Sequence, residues 1–406
     1  MESFVSKIEH PTKPFLLHRW PPSVHPLRMS NYPHLFSLLQ VGDLTLAHRI
    51  VMAPLTRLRS SQPGDIPNQL NAAYYGQRAT EGGLIISEAT NISLEGKGLP
   101  GAPGIHSAEQ VEGWKLVTSA VHEKGGLILL QLWHTGRASH SSLHPEAGLP
   151  VSASALAIGD GSQATNAAGE KVPFEIPRAL ETSELPRVVA DYSQAAENAK
   201  AAGFDGVEVH SANGYLLNQF LEDSTNHRTD AYGGSIENRS RLLMEVIDAV
   251  ADVWSTQRVG VRLSPYVAYS DMGDSDPVAL YSHVLGKLAA RGIAYAHVVE
   301  PRVGRASQNP ALNNALPRTA KLFRKAFDGV FFTAGGYGVQ DAEEAIASGM
   351  ADTVAFGRPF IANPDLVERF RQGVALNPPQ KETFYGGRER GYTDYPSLSE
   401  AETFAD

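Results

Sequence analysis

Eight short apolar runs recur along the chain, and each ends in polar or conformationally special residues. The runs are continuously hydrophobic and do not alternate, which is typical of strands buried on both faces of a parallel sheet. In chain order they read RIVMAPLT, GLIISEAT, GLILLQLWH, FDGVEVH, VGVRLSP, YAHVVEP, GVFFTAGG and DTVAFGR. Several follow a glycine, such as Gly203, Gly292 or Gly349, where a helix would end in a left-handed turn.

Amphipathic segments lie between these runs, and the clearest predicted helices span 109–124, 184–202, 235–254, 277–291 and 340–348. In the third of them Ser235 is the expected N-cap of a stretch with apolar residues at helical spacing. Strand and helix alternating eight times predict an α/β fold, the (β/α)8 TIM barrel, over a doubly wound sheet.

Two segments depart from this alternation. Residues 135–182 are rich in Gly, Ser, Ala and Pro, and they predict a lid or cap insertion after the third strand. Residues 1–28 show no clean period and are interpreted as a flexible N-terminal extension, which leaves 29–406 as a single barrel domain. Aromatic residues of the C-terminal tail are expected to pack back across the barrel mouth: Phe384, Tyr385, Tyr392 and Tyr395.

Composition narrows the partners of the chain. The formal net charge of -9 argues against nucleic acid, because no basic stripe is present to displace counterions from phosphates. Cysteine is absent, which excludes disulfides and thiolate chemistry and fits a cytoplasmic protein. No apolar run reaches the length of a bilayer span. We therefore expect a small-molecule partner, no membrane or nucleic acid, and a monomer or homodimer.

The carboxyl ends of the strands are where barrel active sites form. These ends carry no lysine for a Schiff base and no carboxylate–histidine cluster with metal spacing, so no metal is expected. The site is instead predicted to hold an organic cofactor or substrate. The strand-end residues are Thr56, Ala89, Gln131, Trp133, His210, Asn213, Tyr215, Arg262, Glu300, Gly335, Gly336, Gly357 and Arg358.

Glycine-rich ends of the seventh and eighth runs, AGG and FGR, indicate a phosphate site. Glycine lets backbone amides approach a phosphate, and Arg358 can pair with it through two hydrogen bonds. The phosphate could belong to a nucleotide cofactor or to a sugar phosphate, and the glycines could also serve only tight turns. Gln131 both donates and accepts, which suits the pyrimidine edge of a flavin, and Arg262 could place a positive charge near that edge.

The loop HSANGYLLNQF after the fourth run carries the most specific chemistry. His210 and Asn213 can donate hydrogen bonds to one oxygen, and Tyr215 offers a phenolic proton at neutral pH. Two donors for a developing oxyanion beside a proton donor would polarise a carbonyl and protonate a neighbouring carbon.

These motifs, together with DAYGGSIENRSRLLMEV and FGRPFIANPDL, resemble the Old Yellow Enzyme family of FMN-dependent ene-reductases, in its yeast-like and fungal branch. The resemblance implies hydride transfer from NADPH, or NADH, through bound FMN to the β-carbon of an α,β-unsaturated carbonyl compound. It implies that His210 and Asn213 bind the carbonyl oxygen and that Tyr215 protonates the α-carbon. Trp133, Tyr269 and Tyr385 would line the substrate cavity. The implied FMN contacts are Pro54, Leu55, Thr56, Ala89, Gln131, Arg262, Gly335, Gly336, Phe356, Gly357 and Arg358.

Two other functions stay open at this stage. A flavin-free barrel could act on a sugar phosphate as an isomerase or aldolase, although the expected base or Schiff-base lysine is missing. A flavin protein could serve in sensing or scaffolding, although the complete loop chemistry argues against it. For an ene-reductase, detoxification and fungal secondary metabolism are the roles that the resemblance implies.

Overall fold

The computed structural model describes residues 31–144, 148–266, 269–302 and 318–399. The predicted extension at 1–28 lies outside these residues.

A short antiparallel hairpin, β1 (Leu39–Val41) and β2 (Leu44–Leu46), comes first. Eight parallel strands then close into a barrel, and each of them falls on one of the eight apolar runs. They are β3 (Ile50–Met52), β4 (Leu84–Asn91), β5 (Leu127–Trp133), β10 (Gly206–Ser211), β11 (Val259–Leu263), β12 (Tyr295–Val299), β13 (Val330–Ala334) and β14 (Thr353–Phe356).

Helices surround the barrel, and the five predicted ones are present with nearly the predicted ends. Ser235 caps its helix as expected, since its side chain accepts a hydrogen bond from the Asn238 amide. Gly292 ends another helix with a φ of 64°. The helices are α1 (Gln69–Arg78), α2 (Ala108–His122), α3 (Leu185–Ala201), α4 (Leu216–Leu221), α5 (Ile236–Trp254), α6 (Pro277–Arg291), α7 (Thr319–Phe323), α8 (Val339–Ala347), α9 (Arg358–Ala362) and α10 (Leu366–Gln372). The predicted (β/α)8 barrel is therefore confirmed. In the part of the chain that the structure describes, none of these helices has the length and apolar character needed to cross a membrane.

The β1–β2 hairpin covers the end of the barrel where the strands begin. Its apolar side chains Val41, Leu44 and Leu46 share one buried cluster with Leu84 and Leu129 of the barrel strands. The opposite end, where the strands finish, stays open to a cavity. The barrel therefore has one sealed face and one face available for a site.

The segment predicted as a lid has structure of its own. Within it β6 (Val151–Ser152) pairs in parallel with β9 (Arg178–Ala179), and β7 (Ala164–Thr165) forms a hairpin with β8 (Lys171–Val172). The hairpin reaches the cavity, since Thr165, Gly169 and Lys171 contribute to its wall.

The C-terminal tail docks on the barrel mouth through three buried arginines. Arg57 donates to the Phe384 and Gly391 carbonyls at 2.8 and 2.6 Å, and Arg59 and Arg78 bind further tail carbonyls. Tyr392 is stacked on Tyr74, with ring centroids 4.0 Å apart, while Phe384 and Tyr385 line the cavity. The tail therefore packs across the mouth as its aromatic residues predicted.

Candidate active site

A cavity of about 980 Å³ opens at the carboxyl ends of the barrel strands. It brings together nearly all of the residues proposed for the site from the sequence. Those lining it are Pro54, Leu55, Thr56, Ala89, Gln131, His210, Asn213, Tyr215, Arg262, Tyr269, Gly335, Gly336, Phe356, Gly357, Arg358 and Tyr385. Trp133 differs: it is fully buried and does not line the cavity. Its ring instead meets the Tyr215 ring edge-on, with the centroids 5.0 Å apart.

The end of β10 and the loop that follows it carry three polar side chains of the site. His210 is on the strand itself, paired in register with Arg262 of β11. Asn213 adopts a left-handed φ of 57°, and its backbone N–H donates to Ser264 Oγ at 2.7 Å. An asparagine tolerates this conformation better than most residues do. The turn then places Tyr215 beside His210, with ring centroids 5.0 Å apart.

His210 is a neutral hydrogen-bond donor. Burial, and then the charges of Arg262 and His297, hold the pKa of His210 well below its usual range. Its Nδ1 accepts a hydrogen bond from the Ala212 backbone N–H at 3.3 Å, so the single ring proton resides on Nε2. The imidazole can therefore donate to a ligand oxygen without first taking up a proton.

Tyr215 is a phenol that keeps its proton. Burial, with smaller contributions from Tyr385 and Tyr269, raises the pKa of Tyr215 above its ordinary value. The Tyr215 ring packs against the rings of Trp133 and His210, and both contacts are T-shaped. Tyr215 is thus a protonated phenol whose ring is held in place at the cavity wall.

Gln131 and Arg262 line the floor of the cavity, and the buried Glu208 carboxylate contacts Gln131 from outside the cavity lining. Burial lowers the pKa of Arg262, and the nearby carboxylate of Glu208 opposes that shift. Arg262 Nε is buried without a hydrogen-bond partner. Gln131 Nε2 donates to Glu208 Oε1 at 2.7 Å. A buried guanidinium N–H without a partner is a group that a bound polar ligand would satisfy.

The opposite side of the cavity is built for close approach of a ligand to backbone. Gly335 and Gly336 both have left-handed φ values, 113° and 73°. A Cβ added at Gly336 would meet nothing nearer than Arg302 Cβ at 3.8 Å. Arg358 lines the same cavity. Exposed backbone amides beside an arginine suit a phosphate group.

Comparison with known proteins identifies the family to which this barrel belongs. A model of the NADH:flavin oxidoreductase / NADH oxidase family matches residues 34–377. The chain belongs to this family. It is the Old Yellow Enzyme family whose motifs the sequence resembles, and its members are FMN-dependent oxidoreductases.

Individual relatives of this family cover almost the whole chain. 12-Oxophytodienoate reductase 1 from Oryza sativa subsp. japonica is 46% identical over 364 residues, which is 89% of this chain and 92% of that protein. Flavin oxidoreductase hxnT from Emericella nidulans is 43% identical over 388 residues, 89% of this chain and 97% of that one. Morphinone reductase in complex with tetrahydroNAD is 49% identical, with a TM-score of 0.83 over 90% of this chain and 97% of that chain. Plant and fungal relatives are similarly close, so the predicted yeast-like and fungal branch is not distinguished.

The cavity of this family member fits FMN in the chemistry of its donors. One side offers glycine backbone and Arg358 for a phosphate, and the floor offers the unpaired Arg262 N–H and the Gln131 amide for a polar ring edge. Within the described residues the wall contains no Asp or Glu side chain to repel an anionic cofactor.

Two residues of the cavity wall were not predicted from the sequence, and one predicted site residue, Glu300, does not line the cavity. Arg302 and the hairpin residue Lys171 line the cavity. Glu300 instead accepts hydrogen bonds from the Thr319 and Ala320 amides and from the Tyr337 hydroxyl. Its carboxylate thus caps α7. No local motif singles out Lys171, whereas Arg302 stands in the EPRVG motif and follows the end of β12 by three residues.

Proposed function

We propose that this oxidoreductase is an ene-reductase that reduces the C=C bond of α,β-unsaturated carbonyl compounds. The observation that carries the proposal is the loop after β10, where a neutral His210, Asn213 and a protonated Tyr215 line one cavity wall. Such a set can hold a carbonyl oxygen and deliver a proton next to it.

FMN would be held along the floor and at the glycine side of the same cavity. Arg262 and Gln131 would contact the ring edge, and Gly335, Gly336 and Arg358 would contact the phosphate. Smaller contributions would come from Pro54, Leu55, Thr56, Ala89, Phe356 and Gly357. The chemistry that bound FMN supplies is transfer of hydride from a nicotinamide donor to the β-carbon of the enone.

Each residue of the loop has one task in this reaction. His210 Nε2 and the Asn213 side chain would donate hydrogen bonds to the substrate carbonyl oxygen. They would stabilise the negative charge that develops there as the β-carbon receives hydride. Tyr215 would then give its proton to the α-carbon. Tyr269 and Tyr385 would confine the substrate, and the segment 135–182 would act as a lid over it.

NADPH is the proposed hydride donor, with NADH as the alternative. The morphinone reductase relative was solved with tetrahydroNAD, which supports a nicotinamide at this site. For the biological setting we propose a cytoplasmic monomer or homodimer that acts in detoxification or in fungal secondary metabolism.

An anaerobic visible spectrum tests the proposal. Addition of NADPH to the purified yellow protein should bleach the flavin absorbance, and cyclohexenone should restore it. Recovery with the enone would support the ene-reductase function. Bleaching without recovery, for cyclohexenone and for a panel of longer enones, would reject it. A colourless protein that takes up no added FMN would reject the proposed cofactor site.

A further inference from the structure

Four buried polar side chains form a hydrogen-bonded network inside the barrel, below the cavity. Glu208 of β10 is at its centre and is fully buried. Its Oε1 accepts from Gln131 Nε2 at 2.7 Å, while Oε2 accepts from the Tyr295 hydroxyl at 3.0 Å and from His297 Nδ1 at 2.8 Å. Of these four residues only Gln131 reaches the cavity wall.

The barrel is built to admit this network. Gly260 of β11 stands in register between Glu208 and Tyr295 on the adjacent strands. A Cβ at Gly260 would lie 2.1 Å from the Tyr295 ring. The glycine therefore leaves the space into which the Tyr295 ring turns, and the ring stacks on Phe332 with centroids 4.0 Å apart.

Glu208 is present as a carboxylate. Burial alone would raise the pKa of Glu208, but His297, Arg262 and Gln131 together hold it below its ordinary value. An ionised carboxylate only accepts hydrogen bonds, so each neighbour must donate to it. His297 consequently donates from Nδ1, and Gln131 must present its NH2 group and not its carbonyl oxygen.

This constraint decides what Gln131 offers to the cavity. The NH2 group and the carbonyl oxygen of a glutamine lie in one plane on opposite sides of the Cγ–Cδ bond, so fixing the NH2 group towards Glu208 turns Oε1 away from it as an acceptor. The pyrimidine ring of a flavin carries a single N–H that needs such an acceptor. We infer that Glu208 is a positioning residue that locks the Gln131 amide so that its carbonyl oxygen receives the flavin N–H. This inference rests on the proposed placement of FMN.

The proposal is tested by FMN affinity of the apoprotein, followed by quenching of flavin fluorescence, together with the absorption spectrum of the bound flavin. Glu208→Gln can donate to Gln131, so the Gln131 amide can turn over and lose one hydrogen bond to the ring. We expect FMN to bind about 10-fold more weakly, which corresponds to loss of one hydrogen bond, with a shifted spectrum. Wild-type affinity and spectrum in this variant would overturn the inference.

A swap variant gives the sharper test. In Glu208→Gln combined with Gln131→Glu, the new amide donates to the new carboxylate, whose second oxygen can accept the flavin N–H. Affinity should return towards that of the wild-type protein. A swap variant that binds FMN no better than Glu208→Gln would contradict the positioning role.

Two further variants separate the possible failures. Glu222 is also buried and accepts from the Tyr281 hydroxyl at 2.5 Å, but it does not line the cavity. Glu222→Gln should therefore leave FMN affinity and spectrum unchanged, and equal losses in Glu222→Gln and Glu208→Gln would indicate a merely structural effect.

Gln131→Ala tests the placement of FMN itself. If it leaves affinity unchanged, the proposed cofactor site is wrong, whereas if it weakens binding while Glu208→Gln does not, only the inference fails.

Discussion

Replacement of Tyr215 by phenylalanine isolates the proposed proton transfer. Phenylalanine keeps the ring between Trp133 and His210, whose centroids both lie 5.0 Å from that of Tyr215. Only the hydroxyl is removed, so the cavity and the cofactor contacts stay intact. Loss of a positioned general acid typically slows a step by about 10²–10⁴-fold. At about 1.4 kcal/mol per decade, this adds about 3–5 kcal/mol to the barrier of the enone step.

Stopped-flow spectroscopy resolves the two half-reactions. In Tyr215→Phe, bleaching of the flavin by NADPH should keep the wild-type rate, while recovery with cyclohexenone should slow by the factor above. Tyr269→Phe is the matched control, since it keeps the ring that would confine the substrate and removes a phenol to which no proton transfer is assigned, so recovery should slow far less than in Tyr215→Phe. If the Tyr215 variant recovers at the wild-type rate, the proton donor is another group. If both half-reactions slow equally, the residue serves binding and not proton transfer.

The pH dependence of the enone step follows from the same residue. A tyrosine acts as an acid only while it is protonated, and burial raises the pKa of Tyr215 above the usual 10.0. The rate of recovery should therefore show no tyrosine-like fall up to pH 10. A decline with a midpoint below that value would contradict the assignment.

Three further predictions concern the scaffold. Arg57→Met removes two charged hydrogen bonds to tail carbonyls and should lower the free energy of unfolding by about 3–5 kcal/mol in a urea titration, with a raised KM for the enone. Gly260→Ala places a methyl group against the Tyr295 ring, and it should cost about 1–3 kcal/mol of stability and lower the flavin content of the purified protein. Burial raises the pKa of Glu222 to about 7, so its protonation stabilises the fold fully below the unfolded value of 4.5. That stability should be lost as the pH rises through 7, and urea titrations of the Glu222→Gln variant should show a flatter pH dependence.

The barrel could be predicted because its strands are buried on both faces. A strand covered by helices outside and side chains inside must be apolar throughout, and this marks it in the sequence without any partner being known. The β1–β2 hairpin was not predicted, since strands of three residues are too short to carry a period. The segments LQV and LTL form strands because their apolar side chains pack on the end of the assembled barrel.

Site residues could be predicted where a side chain at the carboxyl end of a strand faces the cavity. Gln131, His210 and Arg262 follow that rule, whereas Trp133 does not line the cavity because the Tyr215 ring lies against it. Glu208 lies within a strand whose neighbours are apolar, and nothing in the sequence says that its carboxylate meets three donors from other strands. Such partners come from the closure of the barrel, which brings together residues 77 and 89 positions apart.

The charges around the cavity bear on the different roles proposed for His210 and Tyr215. The described wall carries Arg262, Arg302, Arg358 and Lys171 but no carboxylate, although the whole chain has a net charge of -9. Such a wall favours an anionic cofactor and the negative charge that develops on a reacting carbonyl. Burial and then Arg262 keep His210 neutral, so its Nε2–H can donate a hydrogen bond to the oxygen, but a neutral imidazole is a very weak acid towards carbon. In the proposed reaction the proton would then come from Tyr215, which stays protonated in the cavity.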